Sequence, residues 1–215
     1  MLAIAGGKGG CGKTTTALGV AAALARRHAV TPLVVDTDVD MPDVHVVADV
    51  PCRPGLGALA NGQPLAEVAH RTRLPGVRAV PAGAIGTDQF PSVFDRLDGW
   101  SGPTILDCPA GAARDAARAL RAADRTVLVT TPTGRCLTDT VKTAAMARTL
   151  DAPPLGVVVN RVPATVESNP RRTVDSLFEC PILARVVSSG DSPLSARSVR
   201  LAHDEVARKL NERNL

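Results

Sequence analysis

The sequence predicts a three-layer α/β domain built on a mostly parallel central sheet. Three observations carry this. Short runs rich in Val, Leu and Ile alternate with Ala-rich helical stretches from residue 2 onward, which is the pattern of strands joined by crossover helices. Hydrophobic residues make up 45% of the chain and aromatics only 2%, so the core must be built from Ala, Val, Leu and Ile, as in a buried parallel sheet. The 215 residues suit one domain, 1–215, with a sizeable core.

The first element is the apolar strand Leu2 to Ala5. A glycine-rich loop, Gly7-Lys8-Gly9-Gly10-Cys11-Gly12-Lys13-Thr14-Thr15, follows it and opens an Ala-rich helix from Thr15 to Arg27. The loop fits G-x-x-x-x-G-K-[ST] in the strand–loop–helix context that this motif requires. Glycines let successive backbone N–H groups turn toward one anion. The helix N-terminus adds its free N–H groups and dipole. Lys13 supplies a point charge for the β- and γ-phosphates, and the Thr14 hydroxyl is placed to ligate Mg²⁺. The expected fold is therefore that of the P-loop NTPases, with a nucleoside triphosphate and Mg²⁺ as ligands.

The run Pro32 to Asp36 reads as the next buried strand. It ends in Asp36-Thr37-Asp38-Val39-Asp40-Met41-Pro42-Asp43. Four carboxylates crowd a strand's C-terminal end, where open α/β sheets bind ligands. Asp40 and Asp43 read as loop formers and helix caps. His45 reads as a helix-face or core residue, because no second His or Cys stands at ligand spacing.

Two short helical patterns follow, Leu56 to Ala60 and Leu65 to Arg71. Residues 77–83 read as another strand and its loop. An amphipathic helix spans Phe90 to Leu97, with Phe90, Val93, Phe94 and Leu97 as a stripe for the core or a dimer surface. Thr104-Ile105-Leu106-Asp107 is an apolar strand ending in Asp, the second half of a P-loop site, whose carboxylate holds Mg²⁺ indirectly. A helix from Ala112 to Ala123, a strand from Thr126 to Thr130, a helix from Cys136 to Leu150 and a strand from Leu155 to Arg161 come next. Asn169-Pro170 opens a short helix to Glu179. The last strand is Ile182 to Val187, and a helix from Leu194 to Leu210 carries Val199, Ala202, Val206 and Leu210 on one face.

Several of these residues together resemble the MinD/ParA family. The loop stands as KGGCGKTT, against the family signature K-G-G-x-G-K-[ST]-[ST]. D-x-D recurs at Asp36 and Asp38, and D-x-P-A-G at Asp107-Cys108-Pro109-Ala110-Gly111. The resemblance implies an ATPase switch, in which two subunits sandwich two ATP–Mg²⁺ and Lys8 of each reaches the other's nucleotide. It implies that Asp36 and Asp107 arrange the metal's water shell and that Asp38 serves the attacking water. It implies that the Gly111 amide moves toward the γ-phosphate. It also assigns Asn160, with Arg161 beside it, to the nucleotide base. An amide suits a base edge because it donates and accepts at once. The GTPase motif N-K-x-D is absent, which favours ATP. MinD members often have Asn where Asp43 stands.

Composition narrows the partners. Net charge is +4 and dispersed, so nucleic acid is permitted but unsupported. The scarcity of aromatics argues against a stacking platform for single strands. The five cysteines are odd in number and form no C-x-x-C, which reads as free thiols of a reducing cytoplasm. No run approaches a membrane span. The terminal helix mixes Asp204, Glu205 and Glu212 with basic residues, so direct membrane anchoring is not expected. The alternatives weighed are an iron–sulfur carrier of the Mrp type, a ParA-like DNA partition ATPase using Arg171, Arg172, Arg197, Arg200 and Arg208, and a metabolic ligase of the same superfamily. The first needs closely spaced cysteines and has only Cys108 or Cys136 to bridge a dimer. The expected protein partner or activator is not named by the sequence.

Overall fold

The computed structural model describes residues 1–112, 114–163, 176–190 and 192–212. Eight strands form one sheet: β1 (Leu2–Gly6), β2 (Leu33–Asp36), β3 (His70–Arg71), β4 (Arg78–Val80), β5 (Thr104–Ala110), β6 (Arg125–Thr130), β7 (Pro154–Val162) and β8 (Ile182–Val187). Their order is β3-β4-β2-β5-β1-β6-β7-β8. Every pairing is parallel except β3 with β4.

The helices are α1 (Lys13–His28), α2 (Val44–Ala48), α3 (Leu56–Ala60), α4 (Leu65–Val68), α5 (Phe90–Leu97), α6 (Arg114–Ala122), α7 (Gly134–Thr149) and α8 (Arg197–Asn211). Strand side chains alternate between two cores. Leu2, Ile4, Val34 and Ile105 face a core shared with α1, α2 and α8. Ala3, Ala5, Leu33, Val35 and Leu106 face one shared with α3, α5 and α6. This is the three-layer architecture that the alternation of elements requires. Phe90, Val93 and Leu97 are buried in the second core, so that stripe packs inward.

Local departures have local causes. The segment Leu65 to Arg71 is not one helix. Ala69 is extended, and His70 and Arg71 pair with Ala79 and Arg78. That pairing satisfies the outer edge of β4, whose backbone groups otherwise lack partners. Helix α8 starts at Arg197, because Pro193–Ser195 forms a separate 3₁₀ turn that holds Leu194. Helix α1 starts at Lys13, two residues before the apolar run begins. The opening of the helix expected at Asn169-Pro170 lies outside the described residues.

The order places β1 between β5 and β6. Asp36 of β2 is in register with Asp107 of β5, and Asp107 with Ile4 of β1. The C-terminal ends of three adjacent strands thus bring both aspartates beside the glycine-rich loop. Such a point in a parallel sheet forms the crevice where ligands bind.

Candidate functional site

The loop closes onto α1 through Gly12, the residue before the first helical turn. Its φ is 96°, and a Cβ there would stand 2.0 Å from Asn160 Nδ2. Only glycine meets both demands. The Asn160 amide takes the space instead and donates to Cys11 O at 2.8 Å. Gly7 N–H donates to Thr140 Oγ1 of α7 at 3.2 Å. The loop is therefore tied on both flanks. The first turn of α1 holds no acidic residue, so its N-terminal dipole faces the loop unopposed.

Lys13 and Thr14 are both 8% exposed, held in place as the first residues of α1. Lys8, Gly9 and Gly10 are exposed at the surface. The two lysines are thus placed differently, Lys13 enclosed at the start of α1 and Lys8 exposed on the loop. Thr15 lines a neighbouring cavity.

Two carboxylates meet the Thr14 hydroxyl. It donates to Asp43 Oδ1 at 2.6 Å. The same hydroxyl lies against Asp107, but it has one proton to donate. Asp107 is 3% exposed, and its Oδ1 has no hydrogen-bond partner. Burial raises its carboxyl well above the ordinary range, with the charge of Asp36 adding to the rise. A buried carboxylate oxygen without a partner is costly. Beside a threonine hydroxyl, it suits a hard divalent cation such as Mg²⁺, which prefers oxygen ligands. Among the described residues, no three His, Cys, Asp or Glu side chains are grouped to hold a metal by themselves. That fits an ion whose remaining ligands are phosphate oxygens and water.

Asp36 is fully buried and acts first as a brace. Its Oδ1 accepts Asp38 N–H and its Oδ2 accepts Val44 N–H, each at 3.1 Å. Burial pushes its carboxyl up to about 7, against the pull of those amides. Asp38 is half-buried, and its Oδ1 accepts Met41 N–H at 3.0 Å. The Thr37 hydroxyl donates to Asp107 O at 2.7 Å and clips the strand ends together.

Asp43 corrects the sequence reading. It precedes α2 but makes no capping bond with its side chain. The carboxylate points to Thr14 instead. The cluster of four aspartates was the signal. It could not tell which one meets Thr14. Asp40 is exposed, and His45 is half-buried on α2, as expected.

Asn160, Arg161, Gly12, Thr15 and Thr16 line a cavity of about 380 Å³ beside the loop, closed by the Val186–Gly190 segment. Asn160 Oδ1 accepts Arg161 N–H at 2.9 Å. Each end of the amide keeps one further bond to offer. Gly111, at the end of β5, donates its N–H to Gly6 O at 2.9 Å.

The residues weighed for other partners are placed less favourably. Cys108 and Cys136 are 1% and 2% exposed, out of reach for bridging a cluster between subunits. Arg208 pairs with Glu205 and Glu212. Arg197 and Arg200 are exposed, and Arg171 and Arg172 lie outside the described residues. Among the described residues, no helix is long and apolar enough to cross a membrane.

Comparison with known proteins identifies the family. Residues 2–193 match the model of the CobQ/CobB/MinD/ParA nucleotide binding domain. An uncharacterized ATP-binding protein of Methanocaldococcus jannaschii is 27% identical, with 86% of this chain and 73% of the relative covered. The septum site-determining protein MinD of Synechocystis is 27% identical, with 83% and 71% covered. The structure of Pyrococcus horikoshii MinD complexed with Mg-ADP superposes with a TM-score of 0.83 at 26% identity, over 98% of this chain and 95% of that one. The chain belongs to the CobQ/CobB/MinD/ParA nucleotide-binding family, as a MinD/ParA-type P-loop protein.

Proposed function

We propose that the protein is an ATPase switch that binds ATP with Mg²⁺, pairs with a second copy while ATP is bound, and separates on hydrolysis. The observation that carries this is the convergence on Thr14. Its hydroxyl donates to Asp43 and lies against Asp107, whose Oδ1 is unpartnered and whose carboxyl feels the charge of the buried Lys13. Mg²⁺ would supply charge neutralisation on the triphosphate.

The chain's own residues carry the rest. The loop amides from Gly9 to Thr15 and the Lys13 ammonium hold the phosphates. Thr14 and Asp107 hold the metal, and Asp36 braces the loop that carries Asp38. Asp38 orients the attacking water and accepts its proton, and the Met41 amide steadies that carboxylate. Positioning and charge stabilisation supply most of the acceleration in phosphoryl transfer. Lys8 is exposed and free to reach a partner's nucleotide. The base sits in the cavity beside Asn160 and Arg161. The switch state is read by a protein partner that also stimulates turnover. A cytoplasmic setting accords with five cysteines that are all free thiols.

The test is the molar mass in solution of wild type and Asp38→Ala with ATP and Mg²⁺, measured beside phosphate release. We expect Asp38→Ala to accumulate as an ATP-bound dimer without turnover. A monomer in both proteins at saturating ATP sinks the sandwich.

A further inference from the structure

Cys11, in the phosphate loop, and Cys136, in the first turn of α7, are far apart in sequence and meet beneath the nucleotide site. Each is 2% exposed, and the two thiols lie close enough to act on each other. Cys136 Sγ also accepts from Thr130 Oγ1 at 3.5 Å and Thr131 N–H at 3.4 Å. Cys11 Sγ accepts the Lys8 amide. It also fills the space that Gly6 leaves, since a Cβ on Gly6 would stand 3.0 Å from it. One turn further along α7, Thr140 Oγ1 takes Gly7 N–H and reaches Thr130 Oγ1, both at 3.2 Å. The phosphate loop and α7 are thus joined twice, once through a hydroxyl and once through a dithiol.

We propose that Cys11 and Cys136 are a modification site that closes to a disulfide under a hydroperoxide, and that closure weakens nucleotide binding. The chemistry balances with hydrogen peroxide as oxidant. The Cys136 thiolate attacks the peroxide O–O bond, giving a sulfenic acid and hydroxide, which leaves as water. The Cys11 sulfur then attacks the sulfenic sulfur, forming the S–S bond and releasing a second water. Two thiols lose two hydrogens, and the peroxide is reduced to two waters.

The geometry assigns the roles. The neighbouring Cys11 thiol, with the hydrogen bonds from Thr131 and Thr130, holds the Cys136 thiol well below its ordinary range. The same pairing, then burial, pushes Cys11 up. Cys136 also sits at a helix N-terminus, where a thiolate is favoured. The residues that directly precede the two cysteines in the chain, 8–10 and 132–135, are exposed.

The coupling follows from what Cys11 touches. A covalent bond draws the two sulfurs closer than they lie as separate thiols. That pulls Cys11 away from the Lys8 amide and shifts a peptide of the phosphate cradle. Small displacements in a positioned site are costly. This half of the inference rests on the nucleotide-binding reading above; the disulfide itself does not.

The test treats the full chain with hydrogen peroxide, maps its cysteine peptides by mass spectrometry, and titrates ADP–Mg²⁺ by calorimetry. We expect a Cys11–Cys136 cross-linked peptide, an ADP affinity lowered about tenfold, and recovery with dithiothreitol. Cys136→Ser should bind ADP as the reduced wild type does and lose the response to peroxide. The proposal is overturned by absence of the cross-linked peptide, by an equal loss of affinity in Cys136→Ser, or by a cross-linked protein that binds ADP unchanged. A reduced wild type that fails to bind ADP sinks the nucleotide reading and the coupling together. The cross-linked peptide then decides the modification alone.

Discussion

The Thr14 hydroxyl donates to the Asp43 carboxylate at 2.6 Å, across the gap between α1 and the loop that follows β2. The same hydroxyl is the one that the motif assigns to Mg²⁺. The bond therefore ties the loop bearing Asp38 to the first turn of α1. Replacing Asp43 by Asn keeps the shape and removes a negative charge facing the phosphates. We expect Asp43→Asn to bind ADP several-fold more tightly in EDTA, where no cation screens that carboxylate. Asp43→Ala should lose about 1 kcal/mol of stability, the usual scale of a hydrogen bond. Calorimetry in EDTA and urea denaturation check the two parts, and unchanged affinity in Asp43→Asn counts against the charge argument.

Lys8 and Lys13 are close in sequence, but one is exposed and the other is enclosed. Lys13→Ala should abolish nucleotide binding. Lys8→Ala should bind ADP within about threefold of wild type, because its charge lies outside the enclosed cradle. It should nevertheless fail to dimerise with ATP. A fluorescent nucleotide titration and light scattering separate the two effects. Equal loss of binding in both variants would contradict the distinction.

Gly12→Ala combines a strained backbone with a collision. Its φ of 96° disfavours any side chain, and the new Cβ would stand 2.0 Å from Asn160 Nδ2. Displacing Asn160 breaks its bond to Cys11 O. We expect a loss of about 1–3 kcal/mol in stability and no measurable ADP binding. Restored binding in Gly12→Ala/Asn160→Ala would show that the clash dominates. Continued failure would show that the backbone strain does.

His203 of α8 is 1% exposed, packed against Gly19 of α1. Burial lowers its pKa to about 4, although nearby Asp204 pulls the other way and Arg26 adds to the drop. Above pH ~6.5, the ordinary histidine value, the ring is neutral in folded and unfolded chains alike. Below that value the unfolded chain takes up a proton that the folded one refuses. Stability therefore falls as the pH drops from about 6.5 toward 4, by about 2 kcal/mol on reaching pH 5. Urea midpoints between pH 7.5 and 5 should show this slope in wild type. His203→Gln should flatten it, whatever its overall stability, and an equal slope in both excludes His203 as the source.

The alternating layers were legible because apolar runs of strand length and helices of fitting period leave few other ways to bury the chain. The P-loop was legible because its demands are local: turning glycines, a lysine and a helix start within nine residues. The edge strand β3 was not. His70 and Arg71 carry no strand pattern, and only the open edge of β4 recruits them. The role of Asp43 was hidden for a similar reason. Four aspartates in one loop look alike until β2 and α2 fix which carboxylate faces α1.

By itself, the sequence determined the alternation of buried strands and covering helices, the glycine-rich loop and the candidate acids Asp36, Asp38 and Asp107. These are written in short spacings and in periodicity, which act between near neighbours. The tertiary structure alone decided the rest. Thr14 meets Asp43, Asn160 fills the space beside Gly12, and Cys11 finds Cys136. Each contact joins segments distant in the chain through the strand order, with β1 set between β5 and β6. No local preference encodes such a meeting. It exists only once the sheet is assembled and burial leaves each polar side chain a single place to find its partner.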